Sequence, residues 1–408
     1  MIGDDAMLGD FDGVKALEEA HQLPTYGKYE IAVERGAGAW LYDTAGKRYL
    51  DFYGGHCVTT TGHCHPEVVA AITAQAERLI FYSNIVYNRT RAEAAAAIMG
   101  LAPAGMSRVF LCNSGAEANE TAIKAARKHT GRSGIIAMRN GFHGRTYGAM
   151  SITGFEKYRI FPPHLPGVYF ADFGDLESIE AAISSARGDI AGIILEPVQS
   201  MAGVHLAPFE YYRELRALCD RHGIVLIFDE VQTGFGRTGG HFFSQTAGVT
   251  PDLITCAKGI ASGVPMGATI FSEALARRVQ LSEHGSTFGG SPLACAAAAA
   301  SINIIRRDEL GARARELGSW LASAIAAAQL PGFREVRGIG LLIGVEFSGE
   351  AKKLVAAMLK RGVIVGAAED KHTIRLIPPL IIERPECELL LTTLAAASTE
   401  VCSTTEKP

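Results

Sequence analysis

Pro251-Asp-Leu-Ile-Thr-Cys-Ala-Lys-Gly-Ile-Ala-Ser-Gly-Val-Pro265 holds an apolar run, Leu253 to Ala257, that leads straight into Lys258 and a turn of small residues. The run has the length and composition of a strand buried on both faces. A lysine at the end of such a strand is costly unless it is neutralised or used covalently. Amine nucleophiles that form Schiff bases need that desolvated setting. The plainer alternative is a strand-end lysine that snorkels to water.

Working outward, short apolar runs recur at Val109–Cys112, Gly134–Met138, Gly167–Phe170, Gly192–Leu195, Ile224–Phe228 and Ala268–Phe271. Between them lie helical patterns such as Glu117–Lys128, Leu176–Ala186 and Phe209–His222. Strand and helix in alternation predict an α/β layer with a mainly parallel sheet flanked by helices. Residues 14 to 22 suit a short helix, and Ala39 to Leu50 suits a hairpin around Asp43-Thr-Ala-Gly46. After Ser291-Pro292 the pattern changes to a long helical region, Leu293 to Gln329, that leads to the apolar stretch Val336–Phe347, followed by a helix, a short strand at Val363–Val365 and Thr373–Leu376. This predicts a smaller α+β domain. The expected division is residues 1–55 packing with the small domain, 56–292 as the large domain and 293–408 as the small one. The tail Ser403–Pro408 is expected to fray.

The chain has 408 residues, 48% of them hydrophobic, and a net charge of −4, so no basic excess points to nucleic acid or an anionic membrane. No stretch reaches the roughly 18 uninterrupted apolar residues of a membrane span. Met1 to Asp10 is acidic and lacks the charge and apolar core of a signal peptide. Eight scattered cysteines without a CxxC spacing suit a reducing, cytoplasmic setting. His56-Cys57 and His63-Cys64-His65 raise the question of zinc, but the spacing fits no closed tetrahedral site, and no metal is expected.

Ligands of open α/β sheets bind at the carboxyl ends of the strands. After Cys112 comes Asn113-Ser-Gly-Ala-Glu-Ala-Asn-Glu120, in which Ser114 and Glu117 have capping-box spacing. Gly115 and Ala116 leave the first-turn amides open, either for a phosphate or simply as a capped helix. After Met138 comes Gly141-Phe-His-Gly-Arg-Thr146. Phe142 there could stack on a planar ring and Arg145 could grip a carboxylate, or both could be surface residues. Asp229, ending an apolar strand, needs a partner such as a protonated pyridine nitrogen, a helix end or Arg237. Glu196 and Gln199 fall at the same edge, and His284–Pro292 is a glycine-rich loop with hydroxyls. A lysine, an acid, an anion cradle and an aromatic at one sheet edge suit pyridoxal 5′-phosphate (PLP).

These motifs, with Asp229-Glu-Val-Gln-Thr-Gly-Phe-Gly-Arg-Thr-Gly239 and Ala257-Lys-Gly259, resemble the class III aminotransferases of PLP fold type I, from Gly36 to Ile382. Within the class, Thr25-Tyr-Gly-Lys-Tyr29, Tyr82-Ser-Asn84 and Arg145 are most similar to the acetylornithine and LysW-γ-lysine aminotransferases. The resemblance implies that Lys258 holds the cofactor covalently and then moves the proton, and that Asp229 pairs with the pyridine nitrogen. It implies that Gln232 meets the ring hydroxyl, that Phe142 and Val231 cover the two ring faces, and that Ser114, Gly115 and Ala116 hold the phosphate. Thr287 would reach the phosphate from the neighbouring subunit of a homodimer, and Arg145 and Arg375 would bind carboxylates. It implies ping-pong transfer from an N-acetylornithine-like donor to a 2-oxo acid such as 2-oxoglutarate. Other ω-amine transaminases or an aminomutase are the alternatives. One departure bears on that choice: the run Glu196-Pro-Val-Gln-Ser-Met201 puts Met201 where many relatives carry a glutamate that pairs with the equivalent of Arg375. Ser291, where relatives often have Asn, is a smaller one.

Overall fold

The computed structural model describes residues 10–402. The tail expected to fray, Ser403–Pro408, lies outside the described residues, as does the acidic opening up to residue 9.

A seven-stranded sheet forms the centre, in the order Met106–Cys112, Gly267–Ser272, Leu253–Cys256, Val225–Asp229, Ile190–Leu195, Gly134–Met138, Val168–Ala171. The strands from Leu253–Cys256 to Val168–Ala171 run parallel, and Gly267–Ser272 is antiparallel to both its neighbours. The inner strands are apolar without alternation because helices cover both faces; every residue of Gly134–Met138, Ile190–Leu195, Val225–Asp229 and Leu253–Cys256 is buried. The helix Phe209–His222 turns Tyr211, Tyr212, Leu215, Leu218 and Cys219 inward at helical spacing and ends on Gly223 in the left-handed region. Leu215 is fully buried, so truncation to alanine would cost about 2–5 kcal/mol. The helix Gly115–Thr130 buries Ala118, Ala122, Ala125 and Ala126, whose small size lets it lie close on the sheet.

The helical region after Pro292 resolves into Pro292–Arg307 and Leu310–Ala327, separated where Glu309 takes a left-handed φ of 49°. Three helices, Pro66–Arg78, Arg89–Leu101 and Arg384–Cys402, were not legible in the sequence; Arg89–Leu101 buries only Ala94, Ile98 and Leu101, a faint stripe. The hairpin Trp40–Asp43/Arg48–Asp51 forms, and Leu50 pairs in parallel with Val363, so the N-terminal segment packs with the C-terminal layer. There a four-stranded antiparallel sheet holds Arg375 between Gly344 and Gly366 on the neighbouring strands. Among the described residues no helix is long and apolar enough to cross a membrane.

Candidate active site

Neighbouring parallel strands end side by side, so Asp229 and Lys258 arrive at one rim. They line a cavity of about 390 Å³ together with Ser114, Gly115, Ala116, Asn119, Phe142, His143, Glu196, Val231 and Gln232. Eight of the residues singled out in the sequence thus meet in one place: Lys258, Asp229, Ser114, Gly115, Ala116, Phe142, Val231 and Gln232.

Lys258 follows the extended Ala257 and takes a left-handed φ of 41°, a conformation that costs a non-glycine residue about 1 kcal/mol and is found chiefly where surrounding structure enforces it. Burial pushes its amine below the usual lysine range, against the opposing pull of Cys57, Asp229 and Glu196. A lysine amine of lowered basicity is the kind of group that serves as nucleophile and base.

Asp229 is 4% exposed. Its Oδ2 accepts from Asn119 Nδ2 and His143 Nδ1, each at 2.8 Å, and its Oδ1 accepts from the Val231 amide at 3.1 Å. Because a carboxylate only accepts, His143 carries its proton on Nδ1. Asn119 is fixed in turn by donating to the His143 carbonyl and accepting from Thr255 Oγ1 at 2.6 Å. Arg237, one of the partners considered for Asp229, instead donates to the Leu341 and Pro378 carbonyls.

Ser114 caps the helix Gly115–Thr130 by accepting from the Glu117 amide at 3.2 Å, and Glu117 reaches back to the Asn113 amide at 3.1 Å. The helix start approaches Val231 so closely that a Cβ on Gly115 would lie 2.8 Å from Val231 Cγ2. Phe142 donates its amide to Glu196 Oε1 at 2.7 Å and meets Tyr158 edge-on at 5.5 Å. Burial pushes the Glu196 carboxyl up to about 7, with Asp229 adding to the rise and His143 opposing it.

The residues present fit PLP. Gln232 Oε1 is buried, faces no protein partner and lines the cavity, as an acceptor for a ring hydroxyl would. Open amides at a helix start suit a phosphate, and Asp229 Oδ1 retains accepting capacity for a protonated ring nitrogen.

Three expected site residues stand outside this lining. Arg145 is exposed, with its guanidinium 4.4 Å from the centre of the Tyr158 ring. Arg375 is 3% exposed and donates to the Ala367 carbonyl, Ser200 Oγ and Tyr53 Oη, the last at 2.8 Å; no described carboxylate pairs with it. Thr287 lines a different cavity, of about 1060 Å³, with Ser83–Asn88 and Arg91.

Sequence reasoning missed Asn119, Tyr53 and the role of His56. Since Arg375 only donates, Tyr53 Oη accepts from it and gives its own proton to His56 Nδ1 at 2.7 Å, leaving His56 with its proton on Nε2. Gly366 makes this possible, because a Cβ there would lie 2.1 Å from the Tyr53 ring. Gly54, Gly55, His56 and Cys57 all have left-handed φ, and the Asp51 carboxylate ties this turn by accepting from the amides of Tyr53, Gly54 and Gly55. His63, weighed as a metal ligand, donates from Nε2 to the same carboxylate at 2.8 Å. Among the described residues no group of His, Cys, Asp and Glu side chains could hold a metal ion.

The aminotransferase class-III family matches residues 23–397. The chain is 41% identical to the acetylornithine aminotransferase of Methanosarcina acetivorans over 95% of its own length and 96% of that protein's. It is 39% identical to a [LysW]-aminoadipate semialdehyde transaminase of Deinococcus radiodurans over 91% of its own length and 87% of that protein's. The structure superposes on an ornithine aminotransferase from Toxoplasma gondii, described with PLP at its active site, with a TM-score of 0.92 and 30% identity, covering 98% of this chain and 96% of that one. With Lys258, Asp229 and the start of the helix Gly115–Thr130 in one cavity, these likenesses show that the chain belongs to the class III aminotransferases, enzymes of PLP fold type I that move an amino group from a donor to an oxo acid.

Proposed function

We propose that the enzyme takes the terminal amino group of an N-acetylornithine-like amino acid and delivers it to a 2-oxo acid, 2-oxoglutarate in the first instance, by a ping-pong mechanism. The observation that carries this reading is Arg375, a buried guanidinium whose nearest partners are hydroxyls and a carbonyl, next to a desolvated lysine: an anionic substrate end would find an unneutralised cation there. The acetylornithine aminotransferases among its relatives support the donor class.

PLP, when bound, supplies a conjugated ring that delocalises the electron pair left at the substrate carbon. The protein's own groups do the rest. Asp229, oriented by His143 and Asn119, keeps a proton on the ring nitrogen. Ser114, Gly115 and Ala116 would hold the phosphate, Gln232 the ring hydroxyl, and Phe142 and Val231 the ring faces. Lys258 Nζ accepts and returns the migrating proton, a task its lowered basicity suits. Arg145 and Arg375 take substrate carboxylates.

Thr287 lies away from its own chain's cavity, near exposed Ile85, Tyr87 and Phe288, and this supports a homodimer in which Thr287 completes the neighbouring site. The division at residues 55/56 and 292/293 and a cytoplasmic setting belong to the same reading.

Met201 favours a second reading, in which the donor is a different ω-amine such as ornithine, 4-aminobutyrate or putrescine. Its carbonyl accepts from the Glu369 amide at 2.8 Å, and the adjacent Ser200 touches Arg375. A panel of these donors assayed for 2-oxoglutarate consumption decides between them. Preference for N-acetylornithine upholds the first reading, and preference for an unacylated amine overturns it.

A further inference from the structure

Two short segments from opposite layers meet at the site. One is the turn Glu156–Tyr158, which follows the Phe142 loop. The other is the loop between the strands Gly366–Ala367 and Thr373–Leu376, which carries Glu369. Tyr158 Oη donates to Glu369 Oε1 at 2.5 Å, across 211 residues of chain, and the Lys157 ammonium pairs with Glu369 Oε2. The Glu369 amide donates to the Met201 carbonyl at 2.8 Å, so the residue is fixed at backbone and side chain alike.

What Tyr158 touches gives the contact its meaning. Its ring meets Phe142 edge-on at 5.5 Å and lies 4.4 Å beneath the Arg145 guanidinium. On the other side, Arg375 sits on the strand that Glu369's loop leads into, and its Nε donates to the Ala367 carbonyl at 3.1 Å. Glu369 therefore links the support of one guanidinium to the strand that bears the other.

We propose that Glu369 and Tyr158 are positioning residues that set the separation between Arg145 and Arg375, and so select substrates by the distance between their charged ends. This rests on the reading of Arg145 and Arg375 as carboxylate binders. A hydrogen bond to a charged group fixes both partners more firmly than a neutral one. Loss of either partner frees Tyr158 to turn and lets Arg145 move, while Lys258 and Asp229, at the rim of the central sheet, keep their places.

The test uses the holoenzyme and three 2-oxo dicarboxylates of increasing length: oxaloacetate, 2-oxoglutarate and 2-oxoadipate. The wild type should discriminate among them in kcat/KM. Glu369→Ala and Tyr158→Phe should each raise KM for the best acceptor about tenfold, the equivalent of one charged hydrogen bond, with kcat within about twofold. Both should flatten the length discrimination. The double variant should be no worse than the worse single, because the two residues act as one unit. Lys157→Ala, which leaves the Tyr158 contact, should have a small effect. A length ratio unchanged in Glu369→Ala, or additive losses in the double variant, would overturn the proposal. The wild type's own turnover reports separately on the aminotransferase reading, since the variants are judged only against it.

Discussion

His143 Nδ1 lies 2.8 Å from Asp229 Oδ2, both groups buried, and the same oxygen takes the Asn119 amide at the same distance. The carboxylate that faces the cavity is thus held by two donors from different elements. It points one way, and its other oxygen, which accepts from the Val231 amide, retains further accepting capacity.

It follows that His143 and Asn119 act through Asp229. His143→Ala should lower kcat by about 10- to 100-fold, in the range that loss of a ligand-orienting partner commonly brings, and Asn119→Ala by less. Stopped-flow measurement of the donor half-reaction checks this, and an unchanged rate in His143→Ala would remove the orienting role.

Met201→Glu would put a carboxylate beside Ser200, which touches Arg375 at 3.4 Å. Pairing there should shield the guanidinium. KM for 2-oxoglutarate is expected to rise several-fold, about 1 kcal/mol of lost charge-assisted binding, while donors without a free carboxylate near the reacting amine gain relative to others. A donor profile identical to wild type would count against the assignment of Arg375.

His56 is held uncharged. Burial, then the charges of Lys258 and Arg375, push its imidazole down to about 2. In the unfolded chain it titrates at its usual value near 6.5, so between these limits the unfolded state binds the extra proton and acidification favours unfolding. Its part of the stability is complete above about pH 6.5 and falls by at most about 1.4 kcal/mol at pH 5.5. Urea unfolding at pH 7.5 and 5.5 should show a smaller pH loss in His56→Gln than in wild type. An equal loss would mean that His56 titrates freely.

The strands were legible because burial on both faces makes them apolar without alternation, and Leu253–Cys256 and Gly134–Met138 fall where the pattern puts them. Lys258 and Asp229 were legible for a related reason: a charge ending such a strand has few structural excuses. The support around them was not. Arg375 meets Tyr53 across 322 residues, and Asp229 meets Asn119 across 110. No local pattern announces either pairing. His56 drew attention as a possible metal ligand, while its observed partner is the phenol of Tyr53. The helix Arg89–Leu101 escaped because its alanines give little contrast between faces.

Thr287 tests the shared site. If it completes the neighbouring cavity, Thr287→Ala should weaken PLP retention by about 1–2 kcal/mol, roughly 5- to 30-fold, while the protein stays dimeric by light scattering. A monomeric wild type, or a variant that holds PLP as tightly as wild type, would contradict the arrangement.

Lys258 is tested most directly by the visible absorbance of the PLP-loaded protein together with donor turnover in Lys258→Ala. The lysine-bound cofactor's absorbance should disappear and turnover should fall to background, with the circular dichroism of the fold unchanged. A folded Lys258→Ala variant that still transfers amino groups at a substantial fraction of the wild-type rate would contradict it.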